Sequence, residues 1–196
     1  LKAVNRWLRS IGRVRIMALR RISKTARIYE LRLRDADSKR WANFADVGFG
    51  IGLAFPVIVE ALRTSPGAMF LVQEPEIHLH PDAQLRMADL LVTLAKSGRR
   101  VIVETHSEHL LLRVRRHILR PTSSGLRLAP SEVSVLYVSK DRDGTTSVTR
   151  LPLDDMGQIG EWPRGFMDEA TEERLAILKR QAAVVGRKGR GCPKKS

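Results

Sequence analysis

The sequence predicts a layered α/β domain with a mostly parallel sheet. Three observations carry this expectation. "MFLVQ" (69–73) and "RRVIVET" (99–105) are short apolar runs, the pattern of strands covered on both faces. Each run leads into a stretch of helical length. Strand and helix patterns then alternate through the middle of the chain, the usual signature of parallel strands with crossover helices.

The elements follow in order. "IYELRLR" (28–34) alternates apolar and polar residues and reads as a strand with one wet face. "DVGFGIG" (46–52) is a glycine-rich turn, and "LAFPVIVEALR" (53–63) has helical length after Pro56. Pro81 suits the first helical position, and "DAQLRMADLLVTLAKSG" continues that helix. Met87, Leu91, Leu94 and Ala95 share one face, and Gly98 ends the helix. Ser107 is placed to cap "EHLLLRVRRHIL" (108–119), which stops before Pro121. In that helix Leu111, Val114 and Ile118 form the apolar face, and Arg113, Arg115 and Arg116 the wet one. "EVSVLYVS" (132–139) and "TSVTRLP" (146–152) flank "KDRDG", a hairpin turn. A last helix fits 168–184.

Charge is unevenly placed. The 196 residues carry a net charge of +14. Thirteen Lys/Arg against three acids lie in residues 1–40, and five more positive charges lie in the last ten residues. This reads as a basic arm and a basic tail around a near-neutral body. Such charge suits a polyanion such as DNA. The three Trp, two Tyr and five Phe do not interleave with the basic runs, so no single-strand stacking platform is visible. The 43% hydrophobic content argues against global disorder. The single cysteine, Cys192, allows no disulfide within the chain and suits a reducing cytoplasm. The longest apolar stretch, 51–62, is interrupted by Pro56 and Glu60 and is too short for a membrane span.

Chemistry concentrates at strand ends. A parallel strand ending in Gln73–Glu74 delivers polar groups to the carboxyl edge of a sheet, where α/β ligands bind. In nucleotide hydrolases that position holds a metal-linked acid followed by a glutamate that polarises the attacking water. Gln73 is neutral and lacks the charge that Mg²⁺ prefers. The second strand ends in Thr105, His106 and Ser107, and a histidine there can donate to a phosphate oxygen. Gly48 and Gly50 precede a helix whose free N–H groups suit an anion, though taken alone a plain turn explains them better.

Taken in order, "DVGFGIGLAFPVIVEAL", "FLVQEPEIHLHPDAQ" and "VIVETHSEHLLLR" resemble the signature, Walker B with D-loop, and switch-histidine segments of ABC-type ATPases of the SMC and OLD-like group. The subgroup resembled is the AAA-family ATPases with a DUF3696 domain, whose WP-x-GFFDE element "GEWPRGFMDE" (160–169) is similar to. "VNRWL" near the start fits a segment that precedes the signature. The resemblance implies the C-terminal half of an ABC-type (P-loop NTPase) domain over 1–151. It further implies a small hairpin/helix DUF3696-like element at 152–185, while residues 186–196 have the composition of a basic disordered tail. It implies ATP hydrolysis with Mg²⁺ by a head-to-tail homodimer in a bacterial cytoplasm, serving DNA maintenance or phage defence. By position, Glu74 becomes the catalytic base and His106 the switch histidine. Gly48, Phe49, Gly50, Gln73, Thr105 and Ser107 contact nucleotide. Gln73 and Glu74 take the magnesium position, and Glu76, His78, His80 and Pro81 lie at the dimer interface.

Two departures stand out. Gly52 and Leu53 replace the Ser-Gln that commonly continues the signature, and no G-x-x-x-x-G-K-[ST] phosphate loop occurs. The expectation is therefore a piece of a longer ATPase, inactive alone, whose partner is an N-terminal Walker A portion. Rival readings are a zinc centre drawn from Glu74, Glu76, His78, His80, His106 and His109, and a Toprim-like nuclease using Asp141 and Asp143. Pro75 and Pro81 make the first a rigid turn without an obvious third ligand, and the hairpin turn explains the second better. A different class remains as the alternative: a non-catalytic nucleic-acid-binding or scaffold module on a degenerate ATPase half.

Overall fold

A computed structural model describes residues 1–12, 14–35, 40–119, 125–160, 163, 166–167, 173 and 175–181. The chain divides into residues 1–160 and 161–196. In the second unit residues 173 and 175–181 are helical. Most of "GEWPRGFMDE", the ends of the 168–184 helix and the tail with Cys192 lie outside the described residues.

The first unit begins with helix α1 (Lys2–Gly12), followed by β1 (Val14–Arg21), β2 (Tyr29–Asp35) and β3 (Trp41–Asn43), which pair antiparallel in the order β1-β2-β3. The expected basic arm is thus folded structure. Val4, Trp7, Leu8 and Ile11 recur at helical spacing, and Leu8 and Ile11 are buried. Burying a leucine of this kind contributes about 2 kcal/mol. The Asn5 side chain pins α1 to β1, donating to Met17 O at 3.1 Å and accepting from Met17 N at 2.6 Å. Arg6, Arg9, Arg15, Arg20 and Arg21 take exposed positions. Arg32 and Arg34 lie over the Trp41 ring, 6.0 and 5.5 Å from its centroid.

Helix α2 (Phe49–Arg63) starts four residues earlier than expected, so Gly50 and Gly52 lie in its first turn and Gly48 is its N-cap. Pro56 is inside the helix, which leaves the Gly52 carbonyl without its helical donor. Next come β4 (Met69–Gln73), α3 (Pro81–Lys96), β5 (Arg100–Glu104) and α4 (Glu108–Leu119). Pro81 opens α3, and Gly98, at φ 83°, follows its C-cap, as the sequence indicates. Strands β4 and β5 pair parallel, Gln73 opposite Glu104. The hairpin β6 (Val135–Lys140) and β7 (Thr146–Leu151) closes through the KDRDG turn.

The α/β class stands, and the sheets are mixed. Among the described residues β4–β5 is the one parallel pair, and the other five strands are antiparallel. The expected burial of these two strands on both faces does not hold. Phe70 packs inward, but Met69, Leu71 and Ile102 are exposed, so one face of the pair is open. The core lies on the other face, where Leu8, Ile58, Met87, Leu91 and Leu110 from all four helices meet. Met87, Leu91 and Leu94 are buried on α3, with Ala95 at their margin. A smaller cluster joins Val92, Ile118 and Leu128.

Candidate functional site

The parallel pair fixes the site. Strands that run side by side in the same direction end at the same edge, so Gln73 and Glu104 are neighbours there. The ladder extends one residue further, Glu74 N donating to Glu104 O at 2.9 Å. Glu74 then turns with φ 41°, a left-handed conformation that non-glycine residues rarely adopt. The turn behind it is held by Ile77 N to Glu74 O (3.1 Å) and Leu79 N to Glu76 O (3.0 Å).

Glu74 and His106, assigned from different segments, come together: His106 Nε2 lies 3.6 Å from Glu74 Oε1. Glu104, which sequence reasoning missed, is closer still, with Oε1 3.3 Å from the same nitrogen. One ligand atom from each of Glu74, Glu104 and His106 lies within 4.8 Å of the others. Two carboxylates and an imidazole fit a divalent cation. Mg²⁺, which the resemblance implies, would be held through the carboxylate oxygens of Glu74 and Glu104. His78, His80 and His109 do not join this group, nor do Asp141 and Asp143, which brace the hairpin turn through Ser147 Oγ and Thr145 N.

The other expected site residues divide by where their polar atoms go. Glu76, placed by resemblance at an interface, is 7% exposed and turned inward. Its Oε1 accepts from Thr105 Oγ1 (2.5 Å) and from His106 N (3.1 Å), tying the turn after β4 to the end of β5. The Thr105 hydroxyl is therefore engaged inside the chain. Ser107 is buried, caps α4 by accepting from Leu110 N at 3.2 Å, and donates to Gln84 Oε1 at 2.7 Å. Its capping role is as expected, and its hydroxyl does not face the strand-end cluster. His78, His80 and Pro81 are exposed, and His80 caps α3.

Phe49 is 81% exposed and lies against His78, ring centroids 6.1 Å apart. The start of α2 and the turn after β4 thus form one surface. Gly50 explains the contact: a Cβ there would stand 2.6 Å from the His78 carbonyl oxygen, while one at Gly48 would meet nothing within 4 Å. Gly50→Ala is expected to lower stability by about 1–3 kcal/mol in urea unfolding. Gly48→Ala meets no clash and should cost only the poorer N-cap, about 0.5–1 kcal/mol.

A second polar cluster lies between α3 and α4. Arg113 grips Asp89 with two bonds of 2.8 Å, and His117 Nε2 lies 2.7 Å from Asp89 Oδ1. Arg113 and His117 are 7% and 0% exposed, so Arg113 is not on the wet face of α4. Burial pushes the Asp89 carboxyl up, but the hydrogen bonds and charges of His117 and Arg113 outweigh it and hold the pKa at about 2.

Residues 7–113 match the family model described as "AAA domain, putative AbiEii toxin, Type IV TA system". Residues 128–176 match "Protein of unknown function (DUF3696)". The Old nuclease of Escherichia phage P2 is 44% identical over 43 residues, which are 22% of this chain and 7% of that protein. Three solved structures share the fold. One, described as "Structural biochemistry of ATP-driven dimerization and DNA stimulated activation of SMC ATPases", has TM-score 0.55 and 18% identity over 76% of this chain and 84% of that chain. The SmcHead bound to the C-winged helix domain of ScpA has TM-score 0.54 and 19% identity over 78% of this chain and 43% of that chain. The Smc head domain of Pyrococcus furiosus, with an extended coiled coil, has TM-score 0.50 and 17% identity, covering 92% of this chain and 38% of that one. The chain spans under half the length of both these heads and a small part of the Old nuclease. At these identities the structures establish the SMC-head fold. A family model that spans more than half of the sequence establishes the rest: this chain belongs to the AAA-domain ATPase family, with a DUF3696 segment after it.

Proposed function

We propose that this chain carries the water-activating half of an ATP-hydrolysing site in a bacterial, cytoplasmic SMC- and OLD-like ATPase. The observation behind the reading is the convergence of Glu74 and His106, 3.6 Å apart at one strand edge. Glu74 takes a proton from the attacking water, and His106 donates a hydrogen bond to the γ-phosphate. Water adds to the γ-phosphorus, the bond to the β-phosphate oxygen breaks, and the products are ADP and phosphate. Mg²⁺, when bound, offsets charge on the phosphate oxygens. The exposed surface of Gly48, Phe49, His78, His80 and Pro81 suits contact with a second copy in a head-to-tail dimer.

The phosphate cradle comes from elsewhere. No phosphate-loop motif is present, and the exposed Met69, Leu71 and Ile102 on the parallel pair suit coverage by further structure. The isolated chain is therefore expected to show no phosphate release from ATP. Co-expression with a segment carrying the phosphate loop should restore it. Turnover by the isolated chain, abolished by Glu74→Gln, would overturn this division of labour.

A second reading, nucleotide-independent DNA binding, has one observation in its favour: the exposed arginines of β1 and α1. It predicts an affinity for duplex DNA that falls steeply between about 50 and 200 mM salt and is unchanged by ATP. Absence of any salt-dependent shift in fluorescence anisotropy would remove it.

A further inference from the structure

The parallel register sets an acid where the sequence lacks one. Position 73, where a metal-linked carboxylate is expected, holds a neutral amide. Glu104 is its partner across the β4–β5 pair. Gln73 and Glu104 share strand parity with exposed Leu71 and Ile102, so both belong to the open face. Cross-strand neighbours on one face lie about 5 Å apart, close enough for both side chains to reach a single ion.

The local charge balance points the same way. In a chain of net charge +14, three carboxylates gather here. Glu74 and Glu104 face His106, and Glu76 lies behind its backbone. Among the described residues no Lys or Arg pairs with any of the three, and Glu76 Oε2 is buried with no hydrogen-bond partner. Clustered carboxylates without a Lys or Arg partner repel one another, and a cation relieves that repulsion.

We propose that Glu104 replaces the acid missing at position 73, so that Glu104, Glu74 and His106 form a divalent-cation site in the nucleotide-free chain. In that state Glu74 and His106 have no water or γ-phosphate to act on, and their donor atoms are available to the ion. The assignment of Glu104 to the role of position 73 rests on the hydrolase reading, whereas cation binding itself does not.

The test is a Mn²⁺ titration of the 196-residue chain without nucleotide, following loss of the free-ion electron paramagnetic resonance signal. One Mn²⁺ per chain is expected. Glu104→Gln should weaken binding at least about tenfold, and adding Gln73→Glu to that variant should restore it. Asp143→Asn, in the hairpin turn, should leave binding unchanged. Circular dichroism melts identify any variant that has not folded. Failure to take up one ion per chain, or equal affinity in folded Glu104→Gln, would sink the site. A folded double variant that does not recover would overturn the replacement of position 73 by Glu104. Mn²⁺ binding that depends on Glu104, in a reassembled protein without hydrolysis, would leave the site standing and remove the hydrolase reading. Hydrolysis without such binding would do the reverse.

Discussion

Glu74→Gln, in the chain reassembled with a phosphate-loop segment, is expected to cut ATP turnover by about 10²–10⁴-fold. The amide keeps the size and planarity of the carboxylate, so the left-handed turn at φ 41° and its backbone bonds to Glu104 and Ile77 should persist. What it removes is the proton acceptor. ATP binding should therefore survive, and an ATP-bound dimer should accumulate where the unsubstituted protein turns over. Phosphate release and size-exclusion chromatography with ATP measure the two effects. A loss below about tenfold would mean that another group activates the water. Loss of ATP binding together with turnover would mean that Glu74 holds the site together rather than reacting in it.

The largest stability effect is expected at Asp89. Asp89→Ala leaves the Arg113 guanidinium and the His117 ring, 7% and 0% exposed, without their shared carboxylate. Breaking a buried ion pair in this way costs about 3–5 kcal/mol, or about 10 °C in melting temperature for a domain of this size. The pH dependence has a definite sign. Asp89 titrates near 3.8 when unfolded and at about 2 when folded. Its contribution of about 2 kcal/mol is complete above pH 4 and is lost as pH falls through about 2. Urea unfolding between pH 5 and 2 should thus be steeper in pH for the unsubstituted chain than for Asp89→Asn. Parallel pH slopes would show that Asp89 does not carry this linkage.

The legible parts of this molecule are those whose signal is local. Pro81 and Gly98 bracket α3, Ser107 caps α4, and KDRDG turns the hairpin, because each acts within a few residues of itself. Glu74 and His106 were found because each ends a short apolar run. Helix α1 was missed although Val4, Trp7, Leu8 and Ile11 show its spacing. The arginines around them drew the reading toward a basic arm, whereas they occupy its wet side and that of β1. Arg113 was misplaced for the opposite reason. An arginine on an amphipathic helix is usually solvated, and its burial depends on Asp89, 24 residues away, meeting it.

The sequence by itself determined the family, the order of the strand-end segments and the two residues proposed to act on water and phosphate. Only the tertiary structure decided that Glu104 stands beside Gln73, that Glu76 faces inward, and that one face of the parallel pair is open. The physical reason is register. A strand's composition shows that it pairs, but which residue lies opposite Gln73 is set by how β5 aligns with β4 after the α3 crossover, and a slip of one residue would have turned Glu104 to the other face.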